Sequence, residues 1–176
     1  MVVVAGVAGL LIGSFLTVVV DRVPRGASIV APGSACGNCG LRLGPLDLVP
    51  VVSWLVLRGK CRSCRTSIGV EPLVLEIATA ASFVAMALRF DRVVVVLAFC
   101  VVMAGLVALT WIDLRTKRLP REITYTTLAL GAPLLVAAAI VLDEPRRIVT
   151  MAIGAAIALA FMALLYVVSR GGMGDG

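Results

Sequence analysis

The sequence predicts an all-α polytopic membrane protein of about five transmembrane helices, with a small cysteine-rich insertion between the first two. Three observations carry that expectation. Of 176 residues, 61% are hydrophobic and 15% charged, and the mean hydropathy is +1.09; a soluble domain is roughly 45–50% apolar and about 25% charged. The apolar residues are gathered in five runs rather than in an amphipathic pattern, as a bilayer requires. Four of the five cysteines fall in one polar stretch, as two pairs.

The first run, 2–20, reads VVVAGVAGLLIGSFLTVVV and has no basic residue before it, which argues against a cleaved signal peptide. The second, 72–88, is short and carries Glu76 near its start; it would cross only about 25 Å and needs bilayer thinning or burial against neighbours. The third, 93–112, has twenty residues without a charge, enough for the ~30 Å hydrocarbon layer. The fourth and fifth cover 123–142 and 148–168. The expected organisation is a first transmembrane helix over 1–20, a cysteine domain over 21–72 and a membrane core over 73–176.

Charge sets the orientation. Alternate connections, counting the carboxy-terminal tail, carry twelve basic residues against four. The richer set holds Arg22, Arg25, Arg42, Arg58, Lys60, Arg62, Arg65, Arg115, Lys117, Arg118, Arg121 and Arg170. The positive-inside bias makes this side cytoplasmic and the amino terminus external. The net charge of +6 is then explained by orientation and anionic headgroups, so no nucleic-acid partner is expected.

Cys36 and Cys39 form CGNC, Cys61 and Cys64 form CRSC, and twenty-one residues separate the pairs. Two C-x2-C knuckles at nearly this spacing point to a four-thiolate structural zinc site. Disulfides are the rival reading, disfavoured in a reducing cytoplasm. With all four positions filled, the metal would hold the loop together and leave no opening for catalysis. Cys100 lies alone in the third run, where packing is its expected role.

Asp113 directly follows the third run in TWIDLRTKRLPREITY, and Asp175 follows the fifth after a glycine-rich stretch. Both runs end on the cytoplasmic side, so the two carboxylates share a face. Two acids that approach closely cannot both ionise cheaply, so one keeps a proton while the other activates water. The spacing alone also fits two ordinary solvated acids at helix ends.

Four separated stretches, in order, resemble the bacterial type IV prepilin peptidases, which are intramembrane aspartyl proteases. They are GSFLTVVVDRVPRG, the cysteine stretch with VPVVSWLVLRGKCRSC, WIDLRTKRLP and the terminal GGMGDG. The resemblance implies removal of the basic leader from type IV prepilins and prepilin-like (pseudopilin) secretion proteins at the cell inner membrane. It also implies, in many members, methylation of the new amino terminus with S-adenosylmethionine. It places the first catalytic aspartate on Asp113. The second depends on register: read as G-x-G-D, the motif makes Asp175 catalytic, whereas the family's commoner G-M-G-x-G-D puts the aspartate just after Gly176. On the second register the chain is expected to be an inactive fragment. Two departures stand out. EPLVLEIATA has one residue more than usual before Glu76, and Arg121 stands where an acid or amide is frequent. Two readings from other classes remain: a membrane-anchored zinc-ribbon interaction module, and a methyltransferase-only protein. No glycine-rich nucleotide signature follows a strand.

Overall fold

A computed structural model gives the protein over residues 1–117 and 120–171, with side chains described through 168. The described residues are mostly helical, and five helices are long and apolar enough to cross a membrane. They are α1 (Val2–Arg22), α3 (Glu71–Arg89), α4 (Val93–Thr116), α5 (Arg121–Val141) and α6 (Pro145–Gly171). A short helix, α2 (Val52–Leu57), lies in the insertion. The second span is thus 19 residues rather than 17, about 28 Å at the usual rise, because the helix takes in Glu71 ahead of Pro72 and Arg89 at its other end.

The chain divides into two compact units, Met1–Leu134 and Leu135–Gly176. In the first, α1 packs on α3 through small residues. A Cβ built on Gly9 would stand 2.5 Å from the Ala80 Cα, and one on Gly13 would stand 2.6 Å from the Glu76 Cα. Lipid chains are as apolar as the helices, so close backbone approach rather than water exclusion holds such a pair. Ala5, Gly9 and Gly13, all buried, supply one small residue per turn along that seam.

Two apolar clusters complete this unit. At one end, Leu16, Val19 and Val20 of α1 meet Leu75 of α3, Ala108 and Ile112 of α4, and Ile123 of α5. Toward the other end, Ala5, Phe83, Ala87, Val96 and Cys100 pack together, so Cys100 does serve packing. The α3–α4 turn is closed by Phe90 and Phe99, stacked with centroids 4.8 Å apart.

In the second unit the α5–α6 turn uses Asp143 at φ +54°. The Glu144 N–H donates to the Ala139 carbonyl and the Arg147 N–H to the Glu144 carbonyl. Arg147 also pairs with the Glu144 carboxylate.

The α1–α3 seam generates a stability prediction. Gly13→Ala forces the two backbones apart and should cost about 1–3 kcal/mol. Gly154→Ala, whose new methyl would meet nothing within 4 Å, should be neutral or slightly stabilising. Equilibrium unfolding in mixed micelles measures both; equal effects would remove the seam from its structural role.

Candidate functional site

The insertion joins α1 to α3 and is built on two knuckles that repeat with an offset of 25 residues. In the first, the Cys36 N–H donates to the Leu41 carbonyl, Gly40 N–H to Cys36, and Leu43 N–H to Ser34. In the second, Cys61 donates to Thr66, Arg65 to Cys61, and Ile68 to Gly59. Each knuckle closes on one antiparallel bridge, Ala35 with Arg42 and Lys60 with Ser67. Each also turns on a left-handed residue, Gly40 at φ +69° and Arg65 at φ +59°. The glycine is expected there; the arginine is not.

The knuckles face each other so that their sulfurs alternate. Cys36 Sγ lies 3.8 Å from Cys64 Sγ, and Cys39 Sγ lies 3.9 Å from Cys61 Sγ. All four sulfurs fall within 4.8 Å of one another. A tetrahedral ion with metal–sulfur bonds of about 2.3 Å needs sulfur separations of about 3.8 Å. Disulfides need about 2.05 Å. The four cysteines could therefore hold a metal ion, with no fifth group needed.

Neighbouring dipoles prepare the thiolates unequally. The Thr66 hydroxyl and backbone N–H, with Asn38, pull the Cys64 thiol down to about 5. Thr66 Oγ1 accepts from Asn38 Nδ2 at 3.0 Å and from the Cys64 thiol at 3.4 Å; when that thiol ionises, the Thr66 hydroxyl can turn its own hydrogen to the sulfur. Backbone N–H groups of Cys39 and Asn38 lower Cys36. At Cys39 the Leu41 N–H works in the same direction, but desolvation and the three neighbouring sulfurs outweigh it and push that thiol up to about 11. Cys39 is thus a thiol that resists ionisation until a cation displaces its proton.

The insertion is tied down by polar contacts. Arg62 sits inside the second pair and donates through Nε to Asp47 Oδ1 at 2.8 Å. Asp47 also accepts from the Gly44 N–H at 3.2 Å. Arg62 first, then Gly44, hold the Asp47 carboxyl below its usual range. Trp54 Nε1 donates to the Gly69 carbonyl at 2.7 Å. The most pointed tie comes from the membrane side: Val51 donates its N–H to Glu76 Oε2 at 2.7 Å. Val51 stands at φ +61°, ψ −49°, and the Val52 N–H donates to the Pro50 carbonyl. This is a positive-φ γ-turn, strained for a β-branched residue.

Asp113 lies at the exposed side of the last turn of α4, next to the fully buried Ile112. The Lys117 N–H donates to the Asp113 carbonyl at 2.8 Å and ends the helix in a left-handed residue. Arg115 pairs with Glu71 at the start of α3. The end of α4 carrying Asp113 is therefore the end at which α3 begins and the insertion is attached. The other acid, Asp175, lies outside the described residues.

Sequence reasoning passed over three features here: the 25-residue repeat, the Asn38–Thr66 hydrogen bond beside Cys64, and the reach of Glu76. The repeat was visible in SACGNCGLRLG and GKCRSCRTSIG, which share both cysteines, an aliphatic residue and a closing glycine. It generates a prediction. Arg65→Gly should keep the bound metal, since glycine already occupies the matching place at Gly40. Arg65→Val should weaken metal retention roughly tenfold, because a left-handed β-branched residue costs about 1–2 kcal/mol. Competition with a chromogenic chelator reads both; a valine variant that holds metal as tightly would sink the idea.

Comparison with known proteins gives two family matches. Residues 7–90 match the bacterial peptidase A24 N-terminal domain, and residues 100–176 match the type IV leader peptidase family. Among curated proteins, the prepilin leader peptidase/N-methyltransferase of Myxococcus xanthus is 39% identical over 128 residues, covering 73% of this chain and 38% of that protein. Its counterpart in Neisseria gonorrhoeae is 34% identical over 151 residues, covering 72% and 53%. That of Bacillus subtilis is 31% identical over 168 residues, covering 96% and 66%. The chain thus spans about half the length of the curated relatives it matches. No solved structure matches. With both family domains matched in order along nearly the whole chain, it belongs to the type IV prepilin leader peptidase family.

Proposed function

We propose that this chain carries the cysteine domain and part of the catalytic core of an aspartic endopeptidase that removes the basic leader from type IV prepilins and prepilin-like secretion proteins. The observation that carries the reading is the position of Asp113. It ends α4 at the end of the helices where the insertion is attached, within the stretch matching the leader peptidase family. Membership in a family of membrane peptidases supports cleavage at a bilayer border, where a charged leader joins an apolar helix. Asp113 and a second acid, Asp175 or the residue after Gly176, divide the work. The ionised carboxylate takes a proton from water as the water oxygen attacks the scissile carbonyl; the protonated partner donates to the leaving amine.

The metal is zinc in a structural role, since four cysteine sulfurs close its coordination. The relatives' names include N-methyltransferase, which supports a second activity on the freed amino terminus. S-adenosylmethionine would supply the methyl group, and no residues of this chain are assigned to it. The insertion and Asp113 face the cytoplasm of a multi-pass inner-membrane protein, a sidedness supported by the basic connections.

Two experiments test this. With the carboxy-terminal continuation of a full-length relative fused after Gly176, prepilin cleavage in membranes should fall at least ~100-fold in Asp113→Asn, which loses the base. Asp175→Asn should do the same if it is the partner, and should leave most activity if the following residue is. An unaffected Asp113→Asn enzyme would exclude the dyad. For sidedness, a reporter active only outside the cytoplasm should give signal when fused after Arg92 or Arg146, and none after Arg65. The reverse pattern would place the thiols in an oxidising compartment.

A further inference from the structure

Between the insertion and the membrane ends of α1 and α3 lies a cavity of about 140 Å³. Its polar lining includes Glu76, Ser14, Thr17, Ser34 and Ser53, with Cys61 and the Arg62–Asp47 pair also on its wall. Trp54 and the aliphatic groups of Leu43, Leu48 and Ile68 form much of the remainder.

The charge balance of this lining is uneven. Glu76 is 5% exposed, and its only hydrogen bond among the described residues is the neutral Val51 N–H on Oε2. No lysine or arginine among the described residues pairs with it. Arg62, the cation nearest at hand in the lining, is committed to Asp47 through two nitrogens. A buried acid near the membrane without a cation is costly to keep, and such residues mark functional sites. The hydroxyls of Ser14 and Ser53 have no hydrogen-bond partner among the described residues. The Thr17 hydroxyl is committed as a donor to the Ser14 carbonyl, which leaves its oxygen as an acceptor.

The unmet groups therefore amount to one carboxylate oxygen and a set of hydroxyl oxygens beside an indole. That combination suits a cation with three N–H donors, because the acceptors can share them and an aromatic wall attracts the charge. It disfavours an anion. A space of about 140 Å³ is less than half the lower bound of roughly 300 Å³ for pockets that take drug-sized ligands, so a whole nucleoside cofactor does not fit. An amino group with its first small stretch of chain does.

We propose that this cavity binds a primary ammonium group, the free amino terminus of a polypeptide whose first residues are apolar. The proposal rests on the N-methylation reading above and deepens it by placing the acceptor amine. Leu75, the neighbour of Glu76, and Ile112, the neighbour of Asp113, belong to one apolar cluster. An amine released by cleavage at Asp113 would therefore be freed at the same end of the helices as the cavity.

The test is isothermal titration of the zinc-loaded full chain in nanodiscs with the tetrapeptide amide Phe-Leu-Ile-Gly and with its N-acetyl form. The free amine should bind at least tenfold more tightly than the acetylated peptide. Glu76→Gln keeps an amide oxygen for the Val51 N–H while removing the charge, so it should lose that preference with zinc content and melting temperature unchanged. Equal affinity for the two peptides, no binding of the free amine, or an undiminished preference in Glu76→Gln would each overturn the proposal. Should Glu76→Gln lose zinc or fail to fold, the Ser14→Ala/Ser53→Ala double variant decides. Weaker binding of the free amine with zinc retained supports the site; unchanged binding refutes it. The titration needs neither a methyl donor nor cleavage. A chain that binds the amine yet transfers no methyl would sink the methylation reading alone, and one that methylates without binding here would sink this site alone.

Discussion

The approach of α1 to α3 is the constraint on which the rest of the structure depends. Gly9 and Gly13 let the two backbones meet at a distance that no side chain would permit. Lipid offers helices no hydrophobic reason to associate, so this packing contact has to supply one. Because α1 and α3 are also the two feet of the insertion, their contact fixes both ends of a long polar loop beside each other. Loop-closure entropy for the insertion is then met within the membrane, before any metal binds.

On those feet stands a domain with little core. Among the insertion's residues, few are buried, and Cys61 is the most enclosed of the cysteines. A segment of that size cannot bury enough apolar surface to order itself. Its order comes from directional contacts instead: the paired knuckles, the Arg62–Asp47 pair, the Trp54–Gly69 hydrogen bond and the bond from Val51 to Glu76. A metal ion held by the four cysteine sulfurs would add to the same set, since ligand binding to a folded loop is folding free energy. The strained turn at Val51 is tolerated because Glu76 on a rigid helix receives its N–H.

This arrangement also explains why the cysteine domain and Asp113 lie at the same end of the helices of the first unit. Ile112 and Leu75 sit in the same cluster, and Arg115 reaches Glu71. The end of α4 is thereby registered against the start of α3. A residue at the border of one helix is positioned relative to a loop attached to another, without any contact between loop and acid being required.

The sequence by itself determined the spans, their order, the thiol set and the candidate acid Asp113, because each is local. A run of about 20 apolar residues answers the bilayer thickness, and a C-x2-C pair answers the geometry of one metal edge. Tertiary structure alone decided what Glu76 does. The sequence showed only an acid displaced by one residue in the second span, and one residue on a helix turns a side chain by about 100°. Whether that turn faced lipid, a neighbouring helix or the insertion depended on how α1 and α3 pack. It faces the insertion because Gly13 brings the α1 backbone against the Glu76 Cα while Leu75 takes the apolar cluster. The same holds for Arg65, whose left-handed backbone follows from matching the first knuckle rather than from its own preference.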